Sequence, residues 1–174
     1  MIIGFSGQPS SGKTTLSRRV ASELGFARAS FGDYVRSVAR EKGLDENDRS
    51  VLQNVGESLI KSGWTEFCTA ILKAANWRDG DSIVVDGIRH AQAIATIKAI
   101  TKPQPFRLVY VEVADELRLE RLGEASSDLE KMDAHSTEAD VKNLLRSMAD
   151  KCIDSSRHLD EVVAEVCVFI RNAN

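Results

Sequence analysis

The first fifteen residues constrain the fold of this chain more than any other stretch. A short apolar run (Ile2, Ile3, Phe5) predicts a buried strand, and residues 7–14 follow it directly as Gly-Gln-Pro-Ser-Ser-Gly-Lys-Thr. This segment fits the pattern G-x-x-x-x-G-K-[ST] at every fixed position. Apolar residues at helical spacing come next, over about 14–24. The stretch therefore predicts a strand, a tight glycine-rich turn and a helix in immediate succession.

The residue types in this turn have a chemical reason. Gly7 and Gly12 allow the backbone to turn tightly and to bring successive N–H groups around a phosphate. Lys13 adds a point charge for the β- and γ-phosphates, and the Thr14 hydroxyl is placed to ligate Mg²⁺. The start of a helix also favours an anion. We therefore expect ATP and Mg²⁺ as cofactors, bound by Gly7, Gln8, Pro9, Ser10, Ser11, Gly12, Lys13, Thr14 and Thr15. The alternative is a Gly/Ser turn that binds nothing, although four matched positions arise by chance in roughly one chain in a few hundred.

Composition bounds the class of protein. The 174 residues predict one domain, 1–174, and a net charge of -3 gives no bulk electrostatic reason to bind nucleic acid or an anionic membrane. No apolar run approaches the 18 residues of a membrane span, and the first strand begins at the N-terminus, so we expect no signal peptide. The three cysteines are far apart, which suits a reducing compartment. These features predict a cytoplasmic protein.

Apolar runs alternate with helical patterns along the whole chain. This alternation predicts parallel β-α-β units in a three-layer α/β fold. The predicted strands lie near 2–5, 26–30, 83–86, 108–113 and 152–153. The predicted helices lie near 14–24, 35–43, 51–63, 67–75, 91–101, 115–122, 141–148 and 159–170, and Thr137 with Asp140 resembles a capping box before the seventh. In a parallel sheet the loops after the strands, 7–13, 31–33, 87–89, from 114 and 154–156, gather around one crevice.

Several charged residues fall at these strand ends. Asp86 closes an apolar strand, where a carboxylate reaches the metal or its water shell; capping the turn at Gly87 is the alternative. Arg36 follows Asp33 by one helical turn, and Arg89 follows Asp86 by three residues. Their planar guanidinium groups suit the phosphate or carboxylate of an acceptor. The alternative for both arginines is a solvated position on a helix.

Other residues have two possible roles. Asp33 either orients or deprotonates an acceptor hydroxyl, or caps its helix. Arg118 and Arg121 share one helix face, from which one of them reaches the γ-phosphate. Trp64 and Phe67 predict core packing, with the wall of an acceptor pocket as the alternative. The histidines are expected to be structural or at the surface, and they are His90, His135 and His158.

Taken in order, these motifs resemble the nucleoside monophosphate kinases, including adenylate kinase and dephospho-CoA kinase-related proteins. Residues 7–14 resemble their P-loop, 32–36 (Gly-Asp-Tyr-Val-Arg) and 86–89 (Asp-Gly-Ile-Arg) resemble two further elements, and 115–122 resembles the helix before their lid. The resemblance implies a P-loop NTPase fold, with a five-stranded parallel sheet of order 2-3-1-4-5 and helices on both faces.

The resemblance also implies roles. The acceptor binds in a helical region of about 33–76, and a lid of about 115–137 closes over the phosphates. Arg36 and Arg89 hold the phosphate of the acceptor, and Arg121 approaches the transferring group. Two features depart from the family pattern. Residues 124–137 contain no arginine, and residues 87–89 lack the proline of adenylate kinases.

These observations predict an ATP-dependent kinase that phosphorylates a nucleoside monophosphate or a similar small phosphorylated acceptor. The first alternative is an NTP-dependent regulatory ATPase that acts on a protein partner, which the arginine-free segment favours. A kinase of nucleic-acid ends is the third possibility, and the acidic balance argues against it. The sequence leaves open the identity of the acceptor, ATP against GTP, and the oligomeric state.

Overall fold

Five strands form one sheet in the computed structural model, which describes residues 1–122 and 141–173. The strands are β1 (Ile2–Gly7), β2 (Ala27–Ser30), β3 (Ile83–Asp86), β4 (Phe106–Glu112) and β5 (Lys151–Asp154). Every pairing is parallel, and the strand order is β2-β3-β1-β4-β5. The order 2-3-1-4-5 implied by the family resemblance is therefore confirmed.

Helices cover both faces of this sheet. They are α1 (Lys13–Leu24), α2 (Phe31–Glu41), α3 (Arg49–Ser62), α4 (Trp64–Ala74), α5 (Ala91–Ile100), α6 (Asp115–Leu122) and α7 (Leu159–Asn172), with a π-helical segment at Val141–Leu145. Ile2 joins an apolar cluster with residues of α4 and α5, whereas Ile3 joins a second cluster with residues of α1 and α7. Successive residues of a strand point to opposite faces, so the central strand is buried on both sides.

Some element boundaries differ from those that the sequence predicts. Helix α2 begins at Phe31 rather than after a turn through 31–33, because the Ser30 side chain accepts a hydrogen bond of 3.2 Å from the Asp33 N–H and caps the helix there. Capping by the Asp33 side chain, one of the two roles considered for that residue, is therefore wrong. Strand β4 begins at Phe106, two residues before its predicted start at 108.

The predicted amphipathic helix near 141–148 is only partly correct. Leu145 is buried, but Leu144 and Met148 are 44% and 41% exposed, and residues Val141–Leu145 form a π-helical segment rather than an α-helix. Most of the predicted lid, the predicted cap at Thr137 and the histidine His135 lie outside the described residues. In the part of the chain that the structure describes, no helix is both long enough and apolar enough to cross a membrane.

Candidate active site

The predicted phosphate loop joins β1 to α1 and needs glycine at defined points. Gly7 and Gly12 have φ values of 150° and 82°, in the region that side chains rarely adopt. A Cβ at Gly7 would lie 2.3 Å from the carbonyl oxygen of Val111 on the neighbouring β4. Tight packing of the loop against β4 is therefore the physical reason for the first glycine of the motif.

Four consecutive carbonyls of this loop, from Gln8 to Ser11, each accept a hydrogen bond from a side chain. The donors are Lys13 Nζ to Gln8 at 3.1 Å, Arg118 Nε to Pro9 at 3.1 Å, Arg121 Nη1 to Ser10 at 3.4 Å and Ser155 Oγ to Ser11 at 2.6 Å. Carbonyl oxygens repel phosphate oxygens, so their engagement by protein donors favours an anion at the loop.

Arg118 and Arg121 both reach the carbonyls of the loop from α6. That one of them reaches the γ-phosphate stays a prediction. Arg118 is fully buried and also donates to Asp115 Oδ1 at 2.8 Å. Arg121 donates from Nη2 to the carbonyl of Ser155 at 2.9 Å. The sequence analysis placed the loop 154–156 at the crevice but did not single out Ser155, which directly follows β5.

Asp86 lies at the carboxyl end of β3 and is 1% exposed. Its Oδ2 accepts a hydrogen bond from Arg28, whereas Oδ1 is buried and accepts no hydrogen bond from the described residues. A buried carboxylate oxygen of this kind suits a cation or its bound water. Thr14 and Asp86 line the same cleft, so these residues fit the Mg²⁺ that the motif implies. Within the described ranges no three or more His, Cys, Asp or Glu residues cluster as a metal cage, and Mg²⁺ commonly binds through one or two carboxylates and substrate phosphates instead.

Arg28 is a site residue that the sequence analysis missed. From β2, its Nη1 donates to Asp33 Oδ2 at 3.0 Å, its Nη2 donates to Asp86 Oδ2, and its Nε donates to Ser17 Oγ at 3.2 Å. Burial acts to lower the pKa of Arg28, but the two carboxylates outweigh burial and raise it. Its only sequence signal was a charged residue in a short strand that precedes the predicted acceptor helix.

Asp33 is surrounded by arginines. Besides Arg28, Arg36 Nη1 lies 3.6 Å from its Oδ1 and Arg18 Nη2 lies 4.0 Å from its Oδ2. Partial burial acts to raise the pKa of Asp33, but the hydrogen bond and charge of Arg28, with smaller effects from Ser30 and Arg18, lower it. Asp33 is therefore ionised at neutral pH and suits the orientation of a ligand better than the removal of a proton.

A cleft of about 760 Å³ opens beside the phosphate loop. Its basic lining residues are Lys13, Arg18, Arg36, Arg49 and Arg89, and its apolar ones include Val35, Leu52, Ile60, Trp64 and Phe67. Three of the five strand-end loops line this cleft; the other two meet the phosphate loop through Arg118, Arg121 and Ser155.

The aromatic residues of the cleft are part of the apolar core and also form part of the cleft wall. Phe67 is buried and packs edge-on to Phe31, with ring centroids 5.3 Å apart. Trp64 lies 5.1 Å from the ring of His90, which also lines the cleft. The sequence analysis did not place Arg18, Arg49 or His90 here, because residues of α1, α3 and the β3–α5 connection meet only in the folded chain.

Residues 6–138 match the family model described as an AAA domain, more than half of the chain. The chain belongs to this family. It is 32% identical to a UPF0200 protein of Methanothrix thermoacetophila, over 94% of this chain and 96% of that protein. It is also 35% identical to a cytidylate kinase of Desulfurococcus amylolyticus, over 65% of this chain and 60% of that protein.

Solved structures show the same fold in kinases. The shikimate kinase of Aquifex aeolicus has a TM-score of 0.62 at 16% identity, covering 99% of this chain and 98% of its own. The shikimate kinase of Acinetobacter baumannii, solved with shikimate, has a TM-score of 0.62 at 18% identity, covering 99% and 94%. This member of the AAA-domain family therefore has a P-loop kinase-like fold.

Proposed function

We propose that this protein is an ATP-dependent kinase that transfers the γ-phosphoryl group to a nucleoside monophosphate or a similarly phosphorylated small molecule. One observation carries the proposal: Lys13, Asp86, Arg36 and Arg89 line a single cleft of about 760 Å³. The residues suited to a nucleotide phosphate and those suited to an anionic acceptor thus face one space. Phosphoryl transfer depends mainly on such positioning and on charge stabilisation.

On the nucleotide side, the phosphate loop cradles the β- and γ-phosphates, and Lys13 neutralises part of their charge. Thr14 and Asp86 hold Mg²⁺, which supplies further positive charge to the transferring group when it is bound. Arg121 donates to the carbonyl of Ser10, so its proposed role is to support the loop beside the transferring group.

On the acceptor side, Arg36 and Arg89 bind the acceptor phosphate, and Asp33 orients the bound acceptor. The second pKa of a phosphate monoester is about 6, so a phosphate acceptor is largely ionised at neutral pH and needs no strong base. The lowered pKa of Asp33 makes it a weak base. This agreement favours a phosphorylated acceptor over a simple alcohol.

The relatives support a phosphotransferase without identifying its substrate. A cytidylate kinase is among the similar sequences, and shikimate kinases are among the similar structures. We further propose that residues 1–174 act as one cytoplasmic kinase domain, with an acceptor-binding helical region at about 33–76 and a lid at about 115–137. No nucleic acid or membrane takes part in the proposed reaction.

The test measures ADP release from Mg·ATP with a panel of nucleoside monophosphates, dephospho-coenzyme A and shikimate. We expect ADP release that depends on one class of acceptor and is abolished in Lys13→Ala. Arg89→Ala should lower kcat/KM for the acceptor by at least about tenfold, because a hydrogen bond to a charged group contributes about 1.5–3 kcal/mol.

The matched control is Arg19→Gln, which removes an exposed arginine that pairs with Asp160 on α7. Its turnover should equal that of the wild type. Slow ATP hydrolysis that no acceptor stimulates, with Arg89→Ala unchanged, would reject the kinase and favour the regulatory ATPase.

A further inference from the structure

Arg28 connects the two halves of the proposed site. Its three donor nitrogens reach side chains on three different elements: Ser17 on α1, Asp33 on α2 and Asp86 at the end of β3. The Ser17 hydroxyl in turn donates to the carbonyl of Thr14 at 3.0 Å. One guanidinium therefore links the start of the nucleotide-binding helix to both carboxylates of the cleft.

The two carboxylate oxygens of Asp86 have different surroundings. Oδ2 is used by Arg28, whereas Oδ1 is buried and has no hydrogen-bond partner among the described residues. A carboxylate rotates about its last bond unless one oxygen is held. The planar fork of an arginine, itself held by Ser17 and Asp33, fixes Oδ2 and with it the direction of Oδ1.

We propose that Arg28 is a positioning residue that orients Asp86 toward the Mg²⁺ of the bound nucleotide. This inference rests on the part of the proposed function in which Thr14 and Asp86 would hold Mg²⁺, and it does not depend on the acceptor. Arg28 does not touch the metal; it acts through Asp86, as the outer-shell partners of metal ligands do. Without it, the buried Asp86 loses the hydrogen-bond donor and the paired cation that Arg28 provides.

The test is the affinity of a fluorescent ATP analogue, N-methylanthraniloyl ATP, with Mg²⁺ and with EDTA. The dissociation constant in EDTA divided by the dissociation constant with Mg²⁺ reports how much the metal tightens nucleotide binding. We expect Arg28→Gln to reduce this ratio about tenfold or more, as loss of an outer-shell partner does in other metal sites. The affinity in EDTA should change little, because the phosphate loop and Lys13 remain.

Three further variants separate positioning from simple loss of stability. Arg28→Lys keeps a cation beside Asp86 without the fork, so its ratio should lie between those of the wild type and Arg28→Gln. Adding Arg28→Gln to Asp86→Asn should cause no further loss, since Arg28 acts only through Asp86. Arg19→Gln, which removes an arginine–aspartate pair on the far side of α1, should keep the wild-type ratio.

Three results would overturn the inference. Unchanged affinities with and without metal in Arg28→Gln and Arg28→Lys would mean that Arg28 does not orient the metal site. A ratio that rises in Arg28→Gln would mean that Arg28 competes with the metal. A fall of both affinities in parallel would assign Arg28 to folding alone. If no acceptor stimulates turnover but the ratio still falls in Arg28→Gln, the proposed kinase fails and this inference stands.

Discussion

Arg118 Nε donates a hydrogen bond of 3.1 Å to the carbonyl oxygen of Pro9, a residue 109 positions earlier in the chain. The arginine is fully buried, and its Nη1 pairs with Asp115 at the start of the same helix. Helix α6, the first part of the predicted lid of about 115–137, is therefore attached to the phosphate loop by a charged group inside the protein. Removal of a charge from water costs free energy, so a buried arginine needs hydrogen-bond and ionic partners that offset this cost.

Replacement of this arginine should affect both stability and nucleotide binding. Arg118→Met fills a similar volume but leaves the Pro9 carbonyl without this donor. We expect a loss of about 1–3 kcal/mol in the free energy of unfolding, the cost of a buried group left unpaired, together with weaker ATP binding. Urea unfolding and ATP titration measure the two effects. The control Arg146→Met removes an exposed arginine paired with Glu112 and should change neither; equal effects in both variants would contradict this account.

The two glycines Gly7 and Gly25 should respond differently to the same substitution. Both have positive φ, but a Cβ at Gly25 meets nothing within 4 Å, whereas one at Gly7 lies 2.3 Å from the Val111 carbonyl. Gly25→Ala should cost about 1–2 kcal/mol from backbone strain and leave ATP binding intact. Gly7→Ala should move the loop away from β4 and abolish ATP binding, measured by titration. Wild-type ATP affinity in Gly7→Ala would show that the loop tolerates this displacement.

The ion pairs of Asp33 should make stability depend on pH. Burial acts to raise the pKa of Asp33, but Arg28 and its other partners lower it below its ordinary value in the folded protein. A carboxylate with a lowered folded pKa contributes stability above its unfolded pKa, about 3.9, and this contribution is lost as pH falls through the folded pKa. Asp33→Asn should therefore lose less stability than the wild type below about pH 4, measured by urea unfolding at a series of pH values.

The carboxylates Asp154 and Glu165 also have a lowered pKa, so both proteins share the remaining acid dependence. The informative quantity is the difference between the wild type and Asp33→Asn in the free energy of unfolding at each pH. Parallel curves for the wild type and Asp33→Asn would contradict the stabilising role of this ion pair.

The three cysteines should differ in their reaction with a thiol reagent. Burial raises the pKa of the Cys68 thiol to about 12, and burial likewise raises the pKa of Cys167. Cys152 is exposed on β5. Because the thiolate is the reactive form, we expect one thiol to react rapidly with Ellman's reagent at pH 8 and two to react only on unfolding. Cys152→Ser should remove the rapid phase; a rapid phase that persists would mean that a buried thiol becomes accessible in the native state.

The fold was largely predictable because its signals are local. The strand before residues 7–14 and the helix after it follow from apolar spacing and from two glycines. Alternation of strands and helices predicts a parallel sheet, and the family resemblance supplied the strand order that the structure confirms. The start of α2 was missed because Ser30 both ends β2 and caps the helix, so that no turn through Asp33 separates the two elements.

The site was predictable only where its residues follow a motif or a strand end. Lys13, Arg36, Asp86 and Arg89 were expected at the cleft, and they line it. Their proposed roles in catalysis remain predictions. Arg28 was not expected, because nothing in the order of residues indicates that a side chain from β2 reaches the end of β3, 58 positions later.

The sequence by itself determined the phosphate loop, the alternation of strands and helices, and the set of charged residues that follow strand ends. Each of these depends on neighbours a few positions apart, where spacing along the chain and geometry in space agree. Only the tertiary structure decided which donor meets which acceptor: Arg28 with Asp86, Arg118 with Pro9, and Ser155 with Ser11 across 144 positions. These contacts depend on the order and twist of parallel strands, which bring distant loops to one edge of the sheet.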